Sequence, residues 1–176
     1  MKHNRLQNTT TYLAGGIDRV ADGGVSWRRA IIPFLQSMRV VVFDPTNKPM
    51  DIAGENIENR EYKEQLKRDK NYNELARKMR EIRSIDLRLV DKSDFIVCYI
   101  DTLTFLCGTM EEIFLANRQK KPVLVVIEGG KDLLPDWLWG TLIPQHIFNN
   151  FDELKEYLRH INEDEVIDKC KRWVFW

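Results

Sequence analysis

Phe95-Ile96-Val97-Cys98-Tyr99-Ile100-Asp101, followed by Cys107-Gly108-Thr109-Met110-Glu111-Glu112-Ile113-Phe114-Leu115-Ala116, is the stretch on which the fold turns. Six apolar residues, rich in β-branched and aromatic side chains and closed by an acid, read as a buried strand. The residues after Gly108 read as a helix. Strand, loop and helix in that order belong to an α/β sheet, whose ligands bind at the carboxyl ends of the strands. Two readings of Glu112 compete. Thr109-x-x-Glu112 has the spacing of a capping box, in which the Glu only secures the start of its helix. The other reading makes Glu112 a carboxylate nucleophile at the mouth of the sheet.

Working outward, the same alternation repeats. Thr10-Thr11-Tyr12-Leu13-Ala14 reads as the first strand, ended by Gly15-Gly16. A loop bounded by glycine pairs, over 17–24, leads to a helix that Ser26-Trp27 opens. Gly15, Gly16, Gly23 and Gly24 let backbone approach a ligand or take positive φ, yet match neither the dinucleotide fingerprint nor the P-loop. Ile17 and Arg19 lie in this loop, and Arg19 has the chemistry to meet a phosphate or carboxylate. Trp27, Ile31, Phe34, Leu35 and Met38 recur at helical spacing, with Pro33 expected to kink that helix or begin a new turn.

Arg39-Val40-Val41-Val42-Phe43 reads as the second strand. Asp44, at its carboxyl end, is either a ligand-edge acid or the start of an Asx turn. Residues 48–70 are dense in alternating charge and read as a solvated helix or mobile insertion over the site. Helical periodicity returns from Tyr72 to Val90, with Asp86 on the border of the apolar stripe. There it pairs with a neighbour such as Arg83 or points into a cleft. Lys121 to Ile127 reads as a fourth strand, ending in Glu128-Gly129-Gly130. A Trp- and Leu-rich segment to Leu142 reads as a short helix or lid, and 145–148 as an edge strand. Phe151, Leu154, Leu158 and Ile161 mark an amphipathic helix, and a second short helix is expected over 163–171. The aromatic end, Arg172-Trp173-Val174-Phe175-Trp176, should dock on its own or a neighbouring subunit. The sum is one α/β domain over 1–176: a doubly wound parallel sheet of about five strands with helices on both faces.

Composition narrows the function classes. The 27 basic and 27 acidic residues cancel, so nothing in the charge favours a nucleic-acid polymer or a membrane surface. No apolar run approaches a membrane span, and the polar start Met1-Lys2-His3-Asn4-Arg5 has no signal core behind it, which points to the cytoplasm. Cys98, Cys107 and Cys170 are an odd number at unrelated spacings, suggesting neither a disulfide framework nor a zinc site. Cys98 reads as a small core residue; Cys107, in the central loop, is a second nucleophile by residue type.

Tyr12-Leu13-Ala14-Gly15, then Asp86 on a helix, then Asp94-Phe95-Ile96-Val97, then Gly108-Thr109-x-x-Glu112-Ile113, resembles the nucleoside 2-deoxyribosyltransferase family over roughly residues 10 to 130. Related nucleoside 5′-monophosphate N-glycosidases share the pattern. The resemblance implies a flavodoxin-like sheet and cleavage of an N-glycosidic bond, with sugar transfer between bases in nucleotide salvage. It makes Glu112 the nucleophile, Asp86 the group that handles the nucleobase proton, and Tyr12 the hydroxyl that orients the Glu. Gly15 and Gly16, with Ile17 and Arg19 beside them, would wall the substrate; Asp44, Asp101, Gly108 and Thr109 are further substrate-binding candidates. The partners implied are a small-molecule nucleoside or nucleotide and a nucleobase, in a homo-oligomer, with no cofactor or metal. The chain departs from the pattern at Leu106, where transferases commonly carry an Asp for the sugar 5′-hydroxyl and nucleotide hydrolases a Ser. Thr104 and Asp101 are the nearest polar residues. Arg19, Arg28 and the glycine loop suit a phosphate, which keeps hydrolysis of a nucleoside 5′-monophosphate as the alternative. A non-catalytic nucleotide-sensing module is the alternative of another class.

Overall fold

The computed structural model describes residues 4–48, 57–163 and 171–175. In chain order the elements are β1 (Thr10–Gly15), α1 (Val25–Ser37), β2 (Val41–Phe43), α2 (Ile57–Arg68), α3 (Tyr72–Lys92), β3 (Phe95–Ile100), α4 (Cys107–Arg118), β4 (Val123–Ile127), α5 (Asp136–Trp139), β5 (Ile147–Phe148) and α6 (Phe151–Glu163). The five strands form one parallel sheet in the order β2-β1-β3-β4-β5. The chain moves outward in one direction to β2, then returns past β1 to β3. That reversal between β1 and β3 opens a crevice at their carboxyl ends.

The strands are apolar on both faces because both are covered. Tyr12, Ala14, Ile96, Cys98, Ile100, Val125 and Ile127 point to one core, closed by Val90 of α3, Ile113 and Ala116 of α4, and Leu138 of α5. Leu13, Phe95, Val97, Leu124 and Val126 point to the other, closed by Ile31 and Leu35 of α1 and Leu154, Leu158 and Ile161 of α6. This two-sided burial is what the uninterrupted apolar runs encode.

Several expectations are corrected. The second strand begins at Val41, not Arg39: Arg39 has φ 60°, and its N–H and that of Val40 bond back to Gln36 O and Leu35 O, closing α1. α1 runs on through Pro33 without a fresh start. Pro33 is exposed, so the carbonyl it leaves unpaired faces the solvent side of the helix. The fourth strand begins after Pro122, at Val123. Within the charged 48–70 segment, α2 is docked rather than merely solvated: Leu66 and Lys63 are buried. Lys63 Nζ lies 2.6 Å from Asp18 Oδ1, and Arg60 Nη1 donates to Val20 O at 3.0 Å. Residues 49–56 of that segment, 164–170 of the second short helix and Trp176 lie outside the described residues.

The aromatic end docks on its own chain. Trp173 packs on Phe95 at 5.0 Å and donates from Nε1 to Tyr157 Oη at 2.9 Å, while Phe175 stacks on Trp173. Phe95 opens β3, so this contact sits at the amino edge of the sheet, opposite the crevice. Among the described residues, no helix is long and apolar enough to cross a membrane.

Candidate active site

At the carboxyl ends of β1 and β3 lies a cleft of about 840 Å³. Its floor is a hydrogen bond. Tyr12 projects from β1, 1% exposed, and its hydroxyl donates to Glu112 Oε1 at 2.8 Å. Glu112 is 8% exposed, on the second turn of α4.

Where α4 starts tests the capping-box reading of Glu112. The N-cap is Leu106, which offers no side-chain cap, and the first intrahelical bond runs from Met110 N–H to Leu106 O. Thr109 is therefore inside the helix, and the capping box does not form. The loop ahead sets this start: Asp101 Oδ1 accepts from Leu103 N–H at 2.9 Å, and Asp101 O from Thr104 N–H at 3.1 Å. Those turns deliver the chain into helical geometry two residues before Thr109. The Glu112 carboxylate meets Tyr12 and borders the cleft.

The glycine loop forms one wall, and Ile17 and Arg19 line it. Gly23 and Gly24 do take positive φ, 66° and 71°, and a Cβ on Gly24 would stand 2.2 Å from Gly16 O. Gly15 and Gly16 serve by close packing instead, against Trp27 and against Leu106 and Val20. Arg28 holds this wall from behind. It is fully buried and donates to Leu13 O, Gly15 O and Gly24 O. Its guanidinium is thus committed to backbone carbonyls, which corrects its candidacy for a phosphate.

On the opposite wall, α3 carries Asp86, 7% exposed and lining the cleft. It does not pair with Arg83. Arg83 binds Glu111 through two hydrogen bonds, Nε to Oε2 at 2.8 Å and Nη2 to Oε1, and ties α3 to α4 at the rim. The Arg83 hydrogen bonding holds the Glu111 carboxyl below its ordinary range; desolvation opposes it, and the Arg83 charge adds a lesser pull in the same direction. Asp86 is instead met by Lys48, whose Nζ lies 2.7 Å from Oδ1. No periodicity or motif marks Lys48 in the sequence; the pairing exists only once the turn after β2 is folded.

Tyr12, Gly15, Gly16, Ile17, Arg19, Asp86, Gly108, Thr109 and Glu112 all border the one cleft. Asp44 does not. Its Oδ1 accepts from Thr46 N–H at 2.9 Å and the Thr46 hydroxyl at 2.8 Å, an Asx turn, with Arg28 Nε 3.7 Å away. Asp101 lies in an adjoining cavity of about 290 Å³, which shares Gly16, Thr104 and Leu106 with the cleft. There its Oδ2 accepts from the Thr104 hydroxyl at 2.9 Å. Leu106 packs into the core and separates the two spaces. Sequence reasoning also missed Glu64 and Lys67 of α2, which reach the cleft across the glycine loop.

Cys98 is buried in β3. Burial first, then the nearby Glu112 charge, pushes its thiol well above the ordinary range, which leaves it inert. Cys107 is exposed at the start of α4 and borders the cleft. Among the described residues, no group of three His, Cys, Asp or Glu is gathered as a metal site needs.

No protein-family model and no curated protein matches the chain. Among solved structures, a 2-deoxyribosyltransferase from the psychrotolerant bacterium Bacillus psychrosaccharolyticus, characterised as a biocatalyst for nucleoside synthesis, aligns over 85% of this chain and 92% of its own. The TM-score is 0.59 at 16% sequence identity. The likeness is one of fold: this chain has the flavodoxin-like α/β architecture that the deoxyribosyltransferase also has.

Proposed function

We propose that the protein cleaves the N-glycosidic bond of a (deoxy)nucleoside and transfers the sugar to another base. The observation that carries this is the buried Tyr12–Glu112 hydrogen bond on the floor of a cleft whose other wall bears Asp86. Breaking the bond builds positive charge at the anomeric carbon. Glu112 attacks that carbon and forms a glycosyl ester as the base departs. Tyr12 orients the carboxylate; the departing base takes up a proton from water at its ring nitrogen, and Asp86 meets the base by accepting a hydrogen bond from it. A second base, deprotonated as it attacks, then takes the sugar and frees Glu112. The fold likeness to a 2-deoxyribosyltransferase fits this chemistry.

Hydrolysis of a nucleoside 5′-monophosphate is the second reading. Arg19, Lys67 and Arg80 at the cleft favour it, since a phosphate would meet positive charge there. A panel of deoxynucleosides, with and without an acceptor base, run beside the 5′-monophosphates, separates the two. Base exchange that requires an acceptor means transferase; free base from monophosphates means hydrolase. Binding without product from any substrate would instead mark a nucleotide-sensing module and sink the catalytic reading.

A further inference from the structure

The turn after β2 carries a lysine into the interior. Asp44 closes that turn through Thr46, and Asn47 N–H bonds Asp44 O at 3.1 Å. Lys48 comes next, with its side chain 2% exposed beside an Asp86 side chain 9% exposed. Their 2.7 Å contact falls outside hydrogen-bond geometry at Oδ1, so it is charge against charge. An ammonium removed this far from water persists only beside a counter-charge. The ion pair is made only by the ionised carboxylate. Asp86 is therefore presented to the cleft as an acceptor-only group, with Oδ1 turned to Lys48 and Oδ2 left for a ligand.

Resting on the glycosidic reading above, we propose that Lys48 is a positioning residue acting through Asp86. It makes the site select nucleobases with an exocyclic amine, cytosine and adenine, over their oxo counterparts, uracil and hypoxanthine. An amine donates an N–H to Oδ2; an oxo group in its place sets lone pairs against a carboxylate. Lys48 does not line the cleft and so does not serve the oxo group itself.

The test is calorimetric binding of the four free bases to the wild-type protein, Lys48→Met, Lys48→Arg and Asp86→Asn. Turnover of deoxycytidine and deoxyuridine is measured alongside. The wild type should favour the amino member of each pair by about tenfold or more. Lys48→Met should bring that ratio toward unity, and Lys48→Arg should keep it. Asp86→Asn, whose amide can donate, should move it toward the oxo member. A lysine that merely stabilised the fold would lower the melting temperature and leave the ratio alone, and that result overturns the proposal. Should Lys48→Met not fold, the opposite shifts expected of Lys48→Arg and Asp86→Asn decide the matter. Turnover without base preference in the wild type overturns the proposal and leaves the glycosidic reading standing. Neither binding nor turnover of any base or nucleoside overturns both.

Discussion

The Tyr12 hydroxyl donates to Glu112 Oε1 at 2.8 Å, joining the strand beside the crevice to the second turn of the helix that covers it. Both partners are buried, so this hydrogen bond to a carboxylate is worth more than a surface one.

Glu112→Gln should fold normally, since Gln also accepts from Tyr12, and should lose on the order of a thousandfold or more in turnover. Tyr12→Phe removes only the orienting bond and should cost roughly 10- to 150-fold, the equivalent of one hydrogen bond to a charged group. Steady-state kinetics with matched circular dichroism spectra would check both. Near-full activity of Glu112→Gln would remove Glu112 from the chemistry.

Arg28→Met should act on stability. It strips donors from three buried carbonyls, at a cost of about 3 kcal/mol or more in a denaturant titration. In folded protein, the preference between a nucleoside and its 5′-monophosphate should not change. A selective loss of monophosphate binding would show that Arg28 meets the phosphate after all.

The two described cysteines should part company under alkylation. Cys98 is buried with its thiol pushed well up, whereas Cys107 is exposed. Iodoacetamide at neutral pH followed by peptide mapping should find Cys107 modified and Cys98 intact until denaturant is added. Early labelling of Cys98 would mean that β3 opens to solvent.

Glu111 provides the control for its neighbour. Its carboxyl is depressed by Arg83, so it contributes stability that is present above the unfolded value, near 4.3, and lost as pH falls through the lower folded value. Glu111→Gln should flatten that acid limb slightly, because the pair is exposed, and change turnover far less than Glu112→Gln. Melting temperatures across pH 3 to 6 (roughly the range around a carboxylate), with kinetics at neutral pH, would read out both. Equal loss of activity in the two variants would mean that the wrong acid has been assigned.

The sheet was legible because its signal is dense: β3 and β4 are nearly continuous apolar runs with few other solutions. The placing of Tyr12, Asp86 and Glu112 on one cleft was legible through motif order. Side-chain direction was not. Asp44 and Asp101 both stand after strands, as ligand-edge acids should, yet each has unpaired N–H groups two residues on and bonds those first. The Thr109-x-x-Glu112 spacing misled for a similar reason: a helix start is fixed by the turn before it, here Asp101 to Thr104. Lys48 escaped notice because its partner lies on a distant helix, and alternating charge in its neighbourhood suggested only a solvated surface.

The glycine loop and α2 meet through Lys63–Asp18 and Arg60–Val20, away from the bond between Tyr12 and Glu112. The Tyr12–Glu112 pair rides on a strand and a helix, while these walls come from a loop and a separate helix, α2. Such a division of labour favours change in one part without the other. Under the proposed function, the walls could be rewritten to admit a new sugar or base while the Tyr12–Glu112 pair stays intact.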